Sequence, residues 1–176
     1  MATRSPKKSP PCAVECDPLA MLTKAHAEHQ RMCDLLEKIA DGLPARIDER
    51  DCTLAAKFLE VNLPAHHRQE ENGLFPVLAQ KMKNQPGMRA ILDRLREEHA
   101  IDEGFADEIA ETLKKIASGS MPDNPDMLGY MLRGFFENYR RHIHWEDMFL
   151  FPMAQEHLNR DDLKMIASRL SGLSET

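Results

Sequence analysis

Two stretches of the chain place the same chemistry at the same spacing: "HHRQEENGLFP" at residues 66 to 76 and "HIHWEDMFLFP" at 142 to 152. Aligned without a gap, each has His first, Glu four residues on, a second acid next, and then Leu-Phe-Pro. Residues four apart share a helix face, so His66 with Glu70, and His142 with Glu146, each point an imidazole and a carboxylate the same way. Single histidines, His29 and His99, lie in two other stretches of helical pattern. Together they make a set of four imidazoles and two carboxylates. Carboxylates able to bridge suit a pair of ions, and imidazole with carboxylate fits iron, with manganese or zinc as less exclusive matches. Nothing in the cysteine spacing suggests a structural zinc site. Unpaired carboxylates in an apolar core would cost several kcal/mol each, so a compensating cation is expected.

The elements that must position these residues are helices. Asp17-Pro18 reads as an N-cap followed by Pro at the first helical position, and Leu22, His26, His29, Cys33, Leu36 and Ala40 then recur at three- and four-residue steps until "DGLP" at 41 to 44. A second helix is expected over 51–82, interrupted or bent near Pro64 and Pro76. The third spans 88–117, with Leu92, Leu95, His99, Ala106, Ile109, Leu113 and Ile116 on one face. A fourth covers 126–157, and 160–172 adds a short fifth with Leu163, Ile166 and Leu170 as its apolar side. No segment alternates with period two. The expected fold is therefore all-α, an antiparallel up-down-up-down four-helix bundle with a short C-terminal fifth helix. Measured from the connecting loops at about 1.5 Å per residue, the four histidine levels agree to within about a turn.

Composition bounds the rest. The 176 residues suit one domain, placed at 17–176, after a Pro/Lys/Ser-rich arm at 1–16 that buries almost nothing and is expected to be disordered. Cys12 and Cys16 in that arm read as reduced thiols, and Cys33 and Cys52 as small apolar residues. A net charge of −6, from 23 basic and 29 acidic residues without a basic stripe, argues against nucleic acid. No apolar run approaches a membrane span or a secretory signal, so a soluble cytoplasmic protein is expected.

On the two His-x-x-x-Glu-acid-x-x-Leu-Phe-Pro repeats, with His29 in "AHAEHQ" and His99 in "REEHA", residues 18 to 157 resemble the hemerythrin-like, or HHE cation-binding, family of four-helix bundles. The resemblance implies two non-haem iron ions held by His29, His66, Glu70, His99, His142 and Glu146. It also implies binding or sensing of dioxygen, nitric oxide or peroxide. Turnover of nitric oxide or peroxide with an outside electron donor, and iron handling or iron-centre repair, are its alternatives. Oxygen-carrying relatives have a fifth histidine one turn beyond the helix-three ligand, and this chain has Glu103 there. That departure implies a centre that oxidises in air, with Glu103 as an iron ligand or a proton donor.

Other residues have quieter expected roles. His26, one turn before His29 on the same side, is an alternative ligand, a supporting group or part of the core, and Tyr139 faces the same core, to orient a ligand or a bound dioxygen species or as packing. Asn62 and Asn138, four residues before each motif histidine, are candidate hydrogen-bonding partners of the ligands. His67, Glu71, His144 and Asp147 fall about 100° away and are expected on solvated flanks or against neighbouring helices. His157 is expected at the surface, and Phe58, Phe75, Phe135, Phe149 and Phe151 in the core.

Overall fold

The computed structural model describes residues 17–173, so the N-terminal arm with Cys12 and Cys16 lies outside the described residues. Every regular element within them is helical: α1 (Pro18–Gly42), α2 (Glu49–Lys57), α3 (Leu63–Gln69), α4 (Phe75–Lys81), α5 (Met88–Ala117), α6 (Pro125–Trp145), α7 (Phe151–His157) and α8 (Arg160–Leu173). Helices α2, α3 and α4 form one rod over 49–81, and α6 and α7 another over 125–157. Both rods are made continuous by π-turns at Phe58–Asn62, Glu70–Leu74 and Glu146–Leu150. The result is a bundle of four long rods in which α1 lies along α6, α2 along α5, and α5 also against α6. Among the described residues, no helix is long and apolar enough to cross a membrane.

The rods begin and end where local chemistry dictates. Asp17 Oδ1 accepts from Leu19 N at 3.0 Å, Asp48 Oδ1 from Arg50 N at 2.8 Å, and Asn124 Oδ1 from Met127 N at 3.0 Å, each satisfying an otherwise orphaned first-turn donor. Pro18 and Pro125 stand just inside two of these caps. Helix α5 stops at Ser118 because Gly119, at φ 90°, turns left-handed. Gly119 N then donates to Ile116 O (2.9 Å) and Ser120 N to Lys115 O (3.1 Å), closing the helix with the paired bonds of a Schellman motif. Asn159 and Asp162 cap α8 reciprocally: Asn159 Oδ1 accepts from Asp162 N, and Asp162 Oδ2 from Asn159 N.

The prolines bend the sequence expectation. Pro64, Pro76 and Pro152 each lie two residues past a π-turn. A proline lacks the N–H and crowds the carbonyl four residues back, and widening the preceding turn removes that conflict without breaking the helix. An interruption or bend was expected near Pro64 and Pro76; the α-helix is interrupted by a π-turn before each while the rod runs on, and Pro152 is absorbed the same way.

Two apolar clusters fill the bundle. One gathers Leu36, Leu59, Leu63, Ile109, Leu113, Leu132 and Phe135; the other Leu22, Leu74, Phe75, Leu78, Leu92, Leu150 and Phe151. Cys33 and Cys52 are buried free thiols that pack as small apolar residues in the first. Helix α8 closes the second over the π-turn at Glu70–Leu74, where a Cβ on Gly73 would come within 2.7 Å of Leu170 Cδ2. Phe149 departs from its expected core position. The extra residue of the π-turn swings it to 55 % exposure against Trp145, while Leu150 and Phe151 turn inward.

Candidate metal centre

Between the two apolar clusters lies a polar layer. His26, His29, His66, His67, Glu70, His99, His142 and Glu146 are all buried there, at heights that coincide on the four rods. Two tight groups of donor atoms form within it among the described residues: His26, His66, Glu70 and Glu146, and His99, His142 and Glu146, each with its donor atoms within 4.8 Å of one another.

The distances resemble a coordination shell drawn without its centre. His26 Nε2 is 3.0 Å from His66 Nε2, and His99 Nε2 is 3.2 Å from His142 Nε2. Two nitrogens bound at about 2.1 Å and at right angles to one another would stand about 3.0 Å apart. Glu70 spans the two groups: Oε1 lies 3.5 Å from His66 Nε2 and 3.6 Å from His26 Nε2, while Oε2 lies 3.5 Å from His99 Nε2. Glu146 does the same through Oε2, 3.3 Å from His26 Nε2 and 3.4 Å from His142 Nε2. Both carboxylates are wholly buried, and none of their four oxygens has a hydrogen-bond partner. A buried carboxylate in that condition is costly unless a cation faces it, so the donor set fits a metal.

The ionisation pattern follows from this crowding. Burial opposes protonation of His26 and His142, but facing Glu146 and Glu70 outweighs it and raises their pKa values to about 10 and about 9. Burial, joined by the charge of Glu146, raises Glu70 to about 7. Glu146 is pulled the other way: burial would raise it, yet His142 and His26 hold it well below the usual carboxylate range. Burial lowers His29 to about 3 and His99 to about 2.

An outer ring of acids fixes the rings. His26 donates from Nδ1 to Asp147 Oδ1 (2.7 Å), His99 to Glu71 Oε1 (2.9 Å), His142 to Glu98 Oε2 (3.2 Å) and His67 to Glu103 Oε1 (2.9 Å). For His26, His99 and His142 this leaves Nε2 facing inward, the tautomer a metal ligand needs. The doubled acids of the repeat thus divide their work. Glu70 and Glu146 point into the layer, while Glu71 and Asp147 each hold a histidine of a neighbouring rod.

Several expected positions shift. His66, Glu70, His99, His142 and Glu146 converge as the spacing predicts. His29 does not join either donor group, although its ring lies 4.6 Å from that of His66: its Nδ1 accepts from the Tyr139 hydroxyl at 2.6 Å and its ring packs edge-on to Phe58, while the Nε2 of His26, one turn earlier, is the one grouped with His66 Nε2. Burial keeps the Tyr139 hydroxyl protonated, as a donor requires. Glu103 faces His67 from a partly exposed position instead of the centre, and that bond holds its carboxyl below the usual range. His67 itself is 1 % exposed, stacked on His99 with ring centroids 4.0 Å apart and planes 4° from parallel. Asn62 is exposed; Asn138, also exposed, lines the opening beside His142 and accepts from Arg141 instead of bonding to a histidine. His144 is exposed as expected, and His157 is half-buried near the end of α7.

Asp102 and Glu98 had no expected role. They line, with Leu95, Ile101, His142 and Trp145, a cavity of about 590 Å³ between α5 and α6 that reaches His142 from the surface. Burial raises Asp102 to about 6. The i+3 step from His99 placed Asp102 near this seam, but nothing in the sequence marks the opening.

Residues 17–154 match the family model described as Hemerythrin HHE cation binding domain. No curated protein matches the chain.

Proposed function

Because the chain belongs to the hemerythrin HHE cation-binding family, we propose that its polar layer holds two iron ions and that the protein binds or senses a small molecule such as dioxygen, nitric oxide or peroxide. The observation that carries this reading is the pair of wholly buried glutamates, Glu70 and Glu146, whose four unpartnered oxygens face histidine nitrogens on both sides. His26 and His66 would hold one ion and His99 and His142 the other, with both glutamates shared. Iron bound there supplies a one-electron change of oxidation state and a coordination position for the small molecule.

The chain's own residues do the remainder. Asp147, Glu71 and Glu98 hold the imidazoles in one tautomer and orientation. The two apolar clusters exclude bulk water above and below the layer. The cavity along α5 and α6 gives a small molecule a route to His142.

Purified protein loaded with iron(II) under nitrogen tests this. Two iron ions per folded chain, with an optical spectrum that changes on adding air or nitric oxide, are expected. One ion or none at saturation would refute the paired site, and a spectrum indifferent to both gases would refute the small-molecule reading.

A further inference from the structure

Two buried histidines, His29 and His67, have no place in either donor group; His29 is tied to the Tyr139 hydroxyl, whereas His67 keeps a ring nitrogen without a partner. His67 follows His66 directly and turns about 100° from it, into the seam against α5. There its Nδ1 is tied to Glu103 at 2.9 Å. A carboxylate can only accept, so Nδ1 carries the hydrogen and Nε2 of the neutral ring presents a lone pair. That Nε2 is buried and has no hydrogen-bond partner. The ring is stacked on His99, and the rings of His142 and Tyr139 lie 6.2 Å and 6.0 Å from it. A buried acceptor in a polar layer needs a hydrogen from something.

We propose that His67 Nε2 accepts a hydrogen bond from the water or hydroxide completing the shell of the cation at His99 and His142, an inference that rests on the cation reading above. His67 is a positioning residue for that ligand, with Glu103 fixing its tautomer. The two ions are then unequal. The His67 ring lies 4.0 Å from that of His99 but 6.3 Å from that of His66, so the proton-bearing ligand is retained on the His99–His142 side. A small anion without a hydrogen, such as azide, must displace it there against the pull of His67.

The test compares iron-loaded wild type with His67→Leu and His67→Gln, reading iron per chain and the azide dissociation constant from optical titration. His67→Leu removes the acceptor and should bind azide about tenfold more tightly, the scale of one lost hydrogen bond. His67→Gln, whose amide oxygen reaches a similar point, should stay within about twofold of wild type. Iron content should be unchanged in both. Equal azide affinity in all three proteins overturns the proposal, as does an equal change in both variants, which would mark a packing role. Loss of one ion from His67→Leu also overturns it, by making His67 a ligand. Wild-type protein that takes up no iron would instead defeat the cation reading on which the proposal rests.

Discussion

Asp147 reaches from the π-turn of one rod to His26 on another, its Oδ1 2.7 Å from the imidazole Nδ1. Glu71 makes the equivalent contact with His99. Each residue sits directly after an inward glutamate, so two adjacent acids serve one site from opposite sides of a ring.

Removing that support should weaken cation binding without disturbing the fold. Asp147→Asn and Glu71→Gln are each expected to lower iron affinity by about 10- to 100-fold in a chelator competition, with unchanged helix content. Unaltered affinity in both would show that the outer acids are ordinary surface contacts.

The choice between His26 and His29 is open to direct measurement. His26→Ala, His66→Ala and His142→Ala should each strip most of the metal, since each removes an inward nitrogen. His29→Ala should keep its metal and lose stability, by about 1–3 kcal/mol, because the Tyr139 hydroxyl is left without an acceptor. His157→Ala should do neither. Metal analysis of the five purified variants decides the assignment.

Metal removal should lower the melting temperature. A cation at about a thousandfold excess over its dissociation constant stabilises by about 4 kcal/mol. For a domain of this size that corresponds to roughly 8–16 °C. Calorimetry of the protein with and without a chelator gives the shift, and identical transitions would show that Glu70 and Glu146 need no cation.

Cation affinity should rise with pH. In the metal-free protein His26 and His142 have pKa values of about 10 and about 9, above the ordinary 6.5, so both are protonated near neutrality. Their ion pairs with Glu146, which stays ionised, therefore stabilise the metal-free fold fully below about 6.5, and this contribution fades as pH climbs through 9 and 10. A metal must displace both protons, so its apparent association constant should increase by about a hundredfold per pH unit between about 7 and 9. The dependence should steepen below about 7, where Glu70 also takes up a proton. Titrations at three pH values suffice; a flat profile would mean that the ligands are already deprotonated.

The helices were legible from their apolar periodicity and from the Asp17-Pro18 cap; the caps at Asp48 and Asn124 and the stop at Gly119 came only with the structure. The level of the site was legible because His66 with Glu70 and His142 with Glu146 repeat one spacing. What failed was angular bookkeeping within a turn. His26 and His29 both face inward, and only the packing of Phe58 and Tyr139 against the second separates them. His67 was placed by its 100° offset on a solvated flank or against a neighbouring helix, and it is the second: α5 covers that seam and buries the ring. Phe149 was assigned to the core on an ideal helical turn that the π-turn does not obey.

The division of the interior by the polar layer has a consequence for cooperativity. Side-chain packing is continuous within each apolar cluster but is interrupted between them by ionisable groups. Cations bound there would join donors from all four rods at that level, so with them in place the molecule should unfold as a single calorimetric unit. Without them the rods still connect the halves, while interdigitation across the middle is lost. The measured enthalpy should then exceed the van't Hoff value, the mark of two partly independent melting blocks.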